Sequence, residues 1–246
     1  MLAPASIYGE HRFMTSMNRT LVIMAKAPRE GSVKTRLAGK LSLPAVTELY
    51  RCLLNDTVDL AQSLDQVELA IMCPAADLED LSCVIGNAAH IVAQTGQGLA
   101  AGLSSVFANF TTAARQLVIA FNADSPHLPA FVLNAAFDAL ERCDLVVGPT
   151  HDGGYFLVGA VASHPGLFAN DGLGTSSALD GLLARARSLG LSVHLTDPFY
   201  DIDVAADLTR LAEELRGAPK KAPRTAQWLS EWIAARANPN QNQGCP

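Results

Sequence analysis

The sequence predicts an α/β fold, with a mostly parallel central sheet and helices on both faces. Three observations carry that expectation. Short apolar runs alternate with helical patterns through most of the chain, joined by connections of a few residues. The run Leu117–Phe121 stops abruptly on Asn122, Asp124, Ser125 and Pro126, as a strand buried on both faces stops at a polar turn. Apolar residues make up 49% and aromatics only 6%, so Ala, Leu and Val supply the core. That composition suits helices packed on a sheet better than an all-β sandwich.

The elements follow in order. Residues 1–19 mix Pro4, Glu10, His11 and Arg12 without an apolar centre; they read as a disordered leader, not a signal peptide. Met14 and Met17, just ahead of the first strand, read as alternative starts. Thr20–Met24 is the first strand. Pro44 opens a helix to about Leu64. Val67–Met72 is a second strand, followed by a short helix over Ala76–Leu81. His90–Ala93 is a third strand, Gln94–Gly98 a Gly-rich turn, and Leu99–Ala114 a helix. After the Leu117 strand, a helical pattern runs from Pro129 to Arg142. Asp144–Gly148 is a fifth strand, Ser176–Leu189 a helix, and Leu191–Leu195 a strand. Asp201–Leu208 leads into a helix reaching Arg216. Residues 20–216 therefore form the main domain. Gly217–Arg224 is Lys- and Pro-rich and reads as a linker. Thr225–Ala235 puts Trp228, Leu229, Trp232 and Ile233 on one face of a short helix expected to dock on the main body. The last ten residues are polar and expected to fray.

Charge and cysteine usage exclude some classes. The net charge is −6 with no basic run, which argues against nucleic acid as a partner and makes any anion site local. The five cysteines, Cys52, Cys73, Cys83, Cys143 and Cys245, form no Cys-x-x-Cys pair. They fit reduced thiols in a cytoplasmic protein. No apolar run reaches the roughly 18–20 residues that cross a bilayer.

Ligands in open α/β sheets sit beyond the carboxyl ends of the strands. Asp124 is an acidic side chain at such an end; the alternative is that it caps the following helix or shapes the turn. Lys26, Arg29, Lys34 and Arg36 follow the first strand and share that sheet edge. Arg grips phosphate oxygens with a planar fork, Lys adds a point charge, and the backbone around Gly31 could add an anion nest. The alternative is a solvated loop. Neither a Walker A pattern nor Gly-x-Gly-x-x-Gly is present. Asp152-Gly153-Gly154-Tyr155 carries a hairpin signal. Its glycines also allow close approach of a sugar or acceptor, on which Tyr155 could stack. His127 and His194 read as structural, and His151 as a candidate general base.

Four ordered blocks carry a family resemblance. Met24-Ala-Lys-Ala-Pro-Arg with Val33-Lys-Thr-Arg-Leu, Asn122-Ala-Asp-Ser-Pro-His-Leu, Gly148-Pro-Thr-His-Asp-Gly-Gly-Tyr-Phe-Leu-Val-Gly and Asp201-Ile-Asp-Val-Ala-Ala-Asp-Leu span Thr20–Leu208. Together they resemble the bacterial selenodomain-associated transferase 1 family, which has the nucleotide-diphospho-sugar transferase fold of glycosyltransferase-A type. The resemblance implies that Lys26, Lys34 and Arg36 hold nucleotide phosphates and that Asp124 reaches a divalent metal, Mg²⁺ or Mn²⁺. By family position Asp203 is a better second metal or substrate carboxylate than Asp201, although either could instead cap the following helix. Asp152 is implied as a catalytic or acceptor-binding residue, with Gly153, Gly154 and Tyr155 as substrate-binding. One departure stands out. The family's Asp-Leu-Gly-x-Arg is replaced by Gly98-Leu-Ala-Ala-Gly, closer to the small-residue segment that packs under a base or ribose in nucleotidyltransferases. The family's aromatic residue near Gly174-Thr175-Ser176 is also absent, with Leu173 in that region.

Three readings follow. The first is a metal-dependent transferase that moves sugar from a nucleotide-diphospho-sugar to a small-molecule acceptor. The second is a nucleotidyltransferase that joins an NTP to a phosphorylated small molecule and releases pyrophosphate. The third is a non-catalytic nucleotide-binding domain.

Overall fold

The computed structural model describes residues 18–112, 116–168 and 176–237. The expected leader up to residue 17, the tail from residue 238 with Cys245, the expected helix end at Ala114, and the segment with Leu173 and Gly174 lie outside the described residues. The strands are β1 (Asn18–Met24), β2 (Val67–Cys73), β3 (His90–Ala93), β4 (Gln116–Asn122), β5 (Leu145–Pro149), β6 (Tyr155–Ala160) and β7 (Val193–Leu195). The helices are α1 (Leu43–Gln62), α2 (Leu78–Ile85), α3 (Gly98–Phe110), α4 (Ala130–Leu140), α5 (Ala178–Ser188), α6 (Ala205–Gly217) and α7 (Pro223–Ala237).

The sheet runs β3-β2-β1-β4-β6-β5-β7. β6 is antiparallel to both its neighbours and every other pairing is parallel. The chain builds outward from β1 to β3, then returns to place β4 on the other side of β1. That reversal opens a crevice at the carboxyl ends of β1 and β4, where α/β sheets bind ligands. The expected mostly parallel sheet is present, with β6 as an added antiparallel strand between β4 and β5. The Asp152-Gly153 signal there is a real hairpin turn: β5 and β6 pair from Leu145↔Ala160 to Pro149↔Tyr155, with a register shift at Gly148/Pro149.

Side-chain alternation puts helices on both faces. Leu21 and Ile23 of β1, with Leu117, Ile119 and Phe121 of β4, pack under α1, α2 and α4. Val22, Val118 and Ala120 point the other way, toward Leu103, Val106 and Phe107 of α3 and Leu182 and Ala186 of α5. This two-sided burial is why β1 and β4 read as unbroken apolar runs. A third cluster joins the outer side of α1 (Val46, Leu49, Leu53) to α6 and to Leu229 of α7.

Local signals explain most boundaries. Ser42 caps α1 by accepting the Ala45 N–H, with Pro44 in the first turn. α2 runs past the expected Leu81 and stops at Gly86, whose φ of 59° ends the helix. α7 begins at Pro223, inside the expected linker. Its start is held by Asp56 of α1, which is 1% exposed. The Asp56 carboxylate accepts the Thr225 N–H at 2.7 Å and Arg224 Nη1 at 3.0 Å. No described helix is long and apolar enough to cross a membrane.

Asp56→Ala would leave the buried Thr225 N–H unpaired and Arg224 short of a partner. The expected loss is about 2–4 kcal/mol in urea unfolding. A change under about 0.5 kcal/mol would show that α7 is held by its apolar contacts alone.

Candidate active site at the carboxyl edge of the sheet

Met24 is in register with Asn122 on one side and Met72 on the other, so the loops after β1, β2 and β4 leave the sheet at one level. They open onto a cleft of about 1170 Å³. Of the residues proposed from sequence, Lys26, Lys34, Arg36, Gly98, Asp124, Asp152, Gly154, Tyr155 and Asp203 line it. Asp201, Thr150, Asn122, Gln94 and Gln97 join them.

The loop after β1 is tied down by its backbone. Ala25 N–H donates to Met72 O at 3.0 Å, Lys26 N–H to Tyr50 Oη at 3.1 Å, and Ala27 N–H to Asp77 Oδ2 at 2.9 Å. Arg29 turns away from the cleft: its guanidinium pairs with Asp77, with Asp80 and with Ala76 O. The four-cation loop therefore divides into three cations at the cleft and one that staples the loop to the start of α2. Lys34 then takes a left-handed backbone (φ 46°, ψ 41°). That conformation costs an ordinary residue on the order of 1 kcal/mol. It leads into a single 3-10 turn, Thr35–Leu37, anchored by the fully buried Leu37.

The Lys34 side chain is only 6% exposed. Its ammonium contacts the Asp124 carboxylate and donates to Asp203 Oδ1 at 3.0 Å, while Arg36 Nη1 donates to Asp203 Oδ2 at 2.9 Å. Burial works against the ammonium, but the charges of Asp124 and Asp203 outweigh it and hold its pKa above the usual lysine range.

Each carboxylate is left without capping work. α4 begins after Pro129 with no side-chain cap, so Asp124 does not cap it. At α6, Asp207 Oδ2 accepts the Asp203 and Val204 N–H groups at 2.9 and 2.7 Å, so neither Asp201 nor Asp203 has to cap that helix. The segment bearing Asp201 and Asp203 is pinned in two ways. Phe199 N–H donates to Pro149 O at 3.0 Å. The buried His127 ring packs against Phe199 and Tyr200, at centroid distances of 4.9 and 4.4 Å. His127 is thus structural, as its sequence context suggested. Asp201, ranked behind Asp203 from sequence, is the more protected carboxylate. Burial, then the charges of Asp124 and Asp203, raise its pKa to about 7. The Asp-x-Asp spacing was visible in the sequence, but nothing local separates its two members.

The hairpin turn holds Asp152 in place. Thr150 Oγ1–H and Gly154 N–H both donate to Asp152 Oδ1. The Thr150 bond, foremost, lowers the Asp152 pKa, so its carboxylate is an ionised acceptor. Gly153, outside the cleft lining, has φ 88° and lies against α5's approach: a Cβ there would fall 2.0 Å from Ser176 O. Its carbonyl accepts the Leu179 N–H at 3.0 Å. Its glycine is required by that packing, a need separate from the substrate contact expected of it. Tyr155 lies on the α3/α5 side, with its Oη buried and unpaired. Burial raises its pKa. At the opposite end, Gly98 (φ 81°) opens α3, and Gln94 Nε2 donates to the carbonyls of Gly96 and Gly98. α3 has no side-chain cap on its first turn, and Gln97, Gly98 and Leu99 at that end line the cleft. A Cβ on Gly102 would strike Gln94 Oε1 and Met24 Cε at 2.7 Å, which is why α3 can settle so close.

Asp124 Oδ1 is buried with no hydrogen-bond partner. Among the described residues no three His, Cys, Asp or Glu side chains are grouped to hold a metal by themselves. This donor set fits a hard cation that takes one or two carboxylates and completes its shell with phosphate oxygens and water.

The family described as "Uncharacterized protein conserved in bacteria (DUF2064)" matches residues 57–175. No curated protein matches the chain. A protein from Desulfovibrio desulfuricans G20, described as a candidate nucleotide-diphospho-sugar transferase, is 24% identical in structural alignment. That match covers 89% of this chain and 96% of the other, with a TM-score of 0.79. A cytidylyltransferase from Leptospira borgpetersenii serovar Hardjo-bovis is 13% identical over 94% of this chain and 100% of its own, with a TM-score of 0.57. The 4-diphosphocytidyl-2C-methyl-D-erythritol synthase of Anaerococcus prevotii DSM 20548 is 12% identical over 80% and 95%, with a TM-score of 0.51. The fold is that of the nucleotide-diphospho-sugar transferases, as the sequence blocks implied.

Burial lowers the His127 pKa from 6.5 to about 4. Between those values the unfolded chain binds a proton that the folded chain does not, so stability falls as pH drops through that window. From pH 7 to pH 5 the expected loss from this residue is about 2 kcal/mol. Urea unfolding of His127→Phe should lack that increment; an identical pH dependence in both proteins would contradict the assignment.

Proposed function

We propose that this chain, with its nucleotide-diphospho-sugar transferase fold, is a metal-dependent transferase that moves a sugar from a nucleotide-diphospho-sugar to a small-molecule acceptor in the cytoplasm. The observation that carries the reading is the meeting of Lys26, Lys34 and Arg36 with Asp124 and Asp203 in the β1/β4 crevice. Three cations suit one diphosphate. Breaking the bond between the anomeric carbon and the diphosphate leaves negative charge on the phosphate oxygens, which Lys26 and Arg36 would stabilise. A Mg²⁺ or Mn²⁺ held by Asp124, with Asp203 as a second carboxylate, would add charge neutralisation of the same leaving group. Gly98 and the open first turn of α3 offer backbone N–H groups to the nucleotide end. On the hairpin side, Asp152 would accept a hydrogen bond from the attacking acceptor hydroxyl and orient it, with Gly153 shaping that turn and Gly154 and Tyr155 completing the wall.

Charge favours sugar transfer over nucleotide transfer to a phosphorylated partner. Among the described residues, Lys26, Lys34 and Arg36 are the basic residues lining the cleft, and Lys34 and Arg36 already face carboxylates. The side with Asp152 and Asp201 is acidic, and the cations that act on these two carboxylates are Arg36 and Lys34, which this reading already assigns to the diphosphate, so a second phosphate there would meet repulsion. The nucleotidyltransferase reading is kept as a second one. It is supported by the small-residue start of α3 and by the cytidylyltransferase among the structural neighbours.

The test is a screen of nucleotide sugars and NTPs with Mg²⁺ or Mn²⁺, reading the released product. Free nucleoside diphosphate is expected. Pyrophosphate from an NTP would move the assignment to nucleotidyl transfer, and binding without release of either would leave a non-catalytic nucleotide-binding domain. In the productive pair, Asp124→Asn should lower kcat/KM by about 10²–10³-fold, or roughly 3–4 kcal/mol. An unchanged kcat/KM would remove Asp124 from the site.

A further inference from the structure

The side chain best placed to occupy the cation position is one the protein carries itself. Lys34 Nζ lies between Asp124 and Asp203, in contact with the first and 3.0 Å from the second. Its side chain is 6% exposed, so this is a seated group and not a waving surface lysine. Two features hold it there. The left-handed backbone at Lys34 sits between the loop stapled by Arg29 and the 3-10 turn anchored by Leu37. Arg36 grips the other oxygen of Asp203, which fixes that carboxylate toward Lys34. The ammonium is on Oδ2 of Asp124 while Oδ1 is unpartnered, so a divalent cation on that carboxylate would lie a few ångströms from the ammonium, and like charges that close repel strongly in a poorly solvated cleft.

We infer that Lys34 is a built-in placeholder for the divalent metal. Its ammonium neutralises Asp124 and Asp203 in the free protein and must leave them before a metal can bind. The phosphates of the donor supply the alternative anion that draws it away. This inference rests on the proposed function only for the identity of that anion; the competition between Lys34 and a metal stands on the ion pairs alone. Its consequence is an order of events: the metal arrives with the diphosphate or after it, not before.

Mn²⁺ binding, followed by electron paramagnetic resonance on the full chain, tests this directly. Wild-type protein alone should bind Mn²⁺ weakly. Lys34→Met, which keeps the stem and removes the charge, should bind at least 10-fold more tightly, and Lys34→Met/Asp124→Asn should return to weak binding. Circular dichroism and thermal midpoints establish that each variant is folded. Should Lys34→Met fail to fold, Lys34→Gln takes its place, and the wild-type arm with UDP decides independently: UDP is expected to raise Mn²⁺ affinity beyond that of UDP–Mn²⁺ in buffer. Equal Mn²⁺ affinity in wild type and the charge-removed variants, tight or weak, would overturn the placeholder. If no nucleoside diphosphate binds while Lys34→Met still gains Mn²⁺ through Asp124, the placeholder stands and the transferase reading is what fails.

Discussion

The candidate site depends on one buried ammonium. Lys34 joins three parts of the chain that are remote in sequence: the loop after β1, the end of β4 through Asp124, and the segment before α6 through Asp203. Removing a charge from water is expensive, and only the two carboxylates make this lysine's burial tolerable. The converse holds as well. Deleting one member of such a buried group typically costs about 3–5 kcal/mol, because the remaining charges lose their counterion. The cluster is therefore weak evidence for stability and stronger evidence for function, since an apolar core residue would fill the same space at lower risk.

The surroundings keep that cluster available. Asp77 and Asp80 engage Arg29, so it does not compete for the cleft's carboxylates. Asp207 caps α6 in place of Asp201 and Asp203. His127 fills the space behind the Phe199–Tyr200 pair, and Tyr200 Oη donates to Glu214 at 2.8 Å, so the strap carrying the two aspartates is fixed at its start, while the Asp207 carboxylate fixes its end. Strain is placed where it serves this geometry: the left-handed turn at Lys34 is offset by the ion pairs that it makes reachable.

Much of this was legible because it is local. A buried apolar strand ending in Asn-Ala-Asp-Ser-Pro locates Asp124 at the sheet edge, and a loop that follows the first strand brings Lys34 and Arg36 to the same edge. What escaped the sequence is set by partners far along the chain. The hairpin signal at Asp152-Gly153 makes β6 antiparallel to β5, but its insertion between β4 and β5 is not visible in the run Tyr155–Ala160. Arg29 looks like its neighbouring cations until Asp77 and Asp80 are placed beside it. Gly153 reads as a ligand-contact glycine, yet its missing Cβ is demanded by the Ser176 carbonyl. Asp201 and Asp203 share one motif and are separated only by burial and by the ion pairs that form on one of them.

The central claim is that a diphosphate and a divalent cation meet between the β1 loop and the end of β4. Crystals grown with UDP and Mn²⁺ test it through the anomalous signal of manganese. The account predicts a manganese peak within about 2.5 Å of an Asp124 carboxylate oxygen, with Lys34 turned from Asp124 toward the diphosphate. A nucleotide bound elsewhere on the molecule would contradict it, and a manganese peak in the cleft with Lys34 still seated on Asp124 would contradict the placeholder alone.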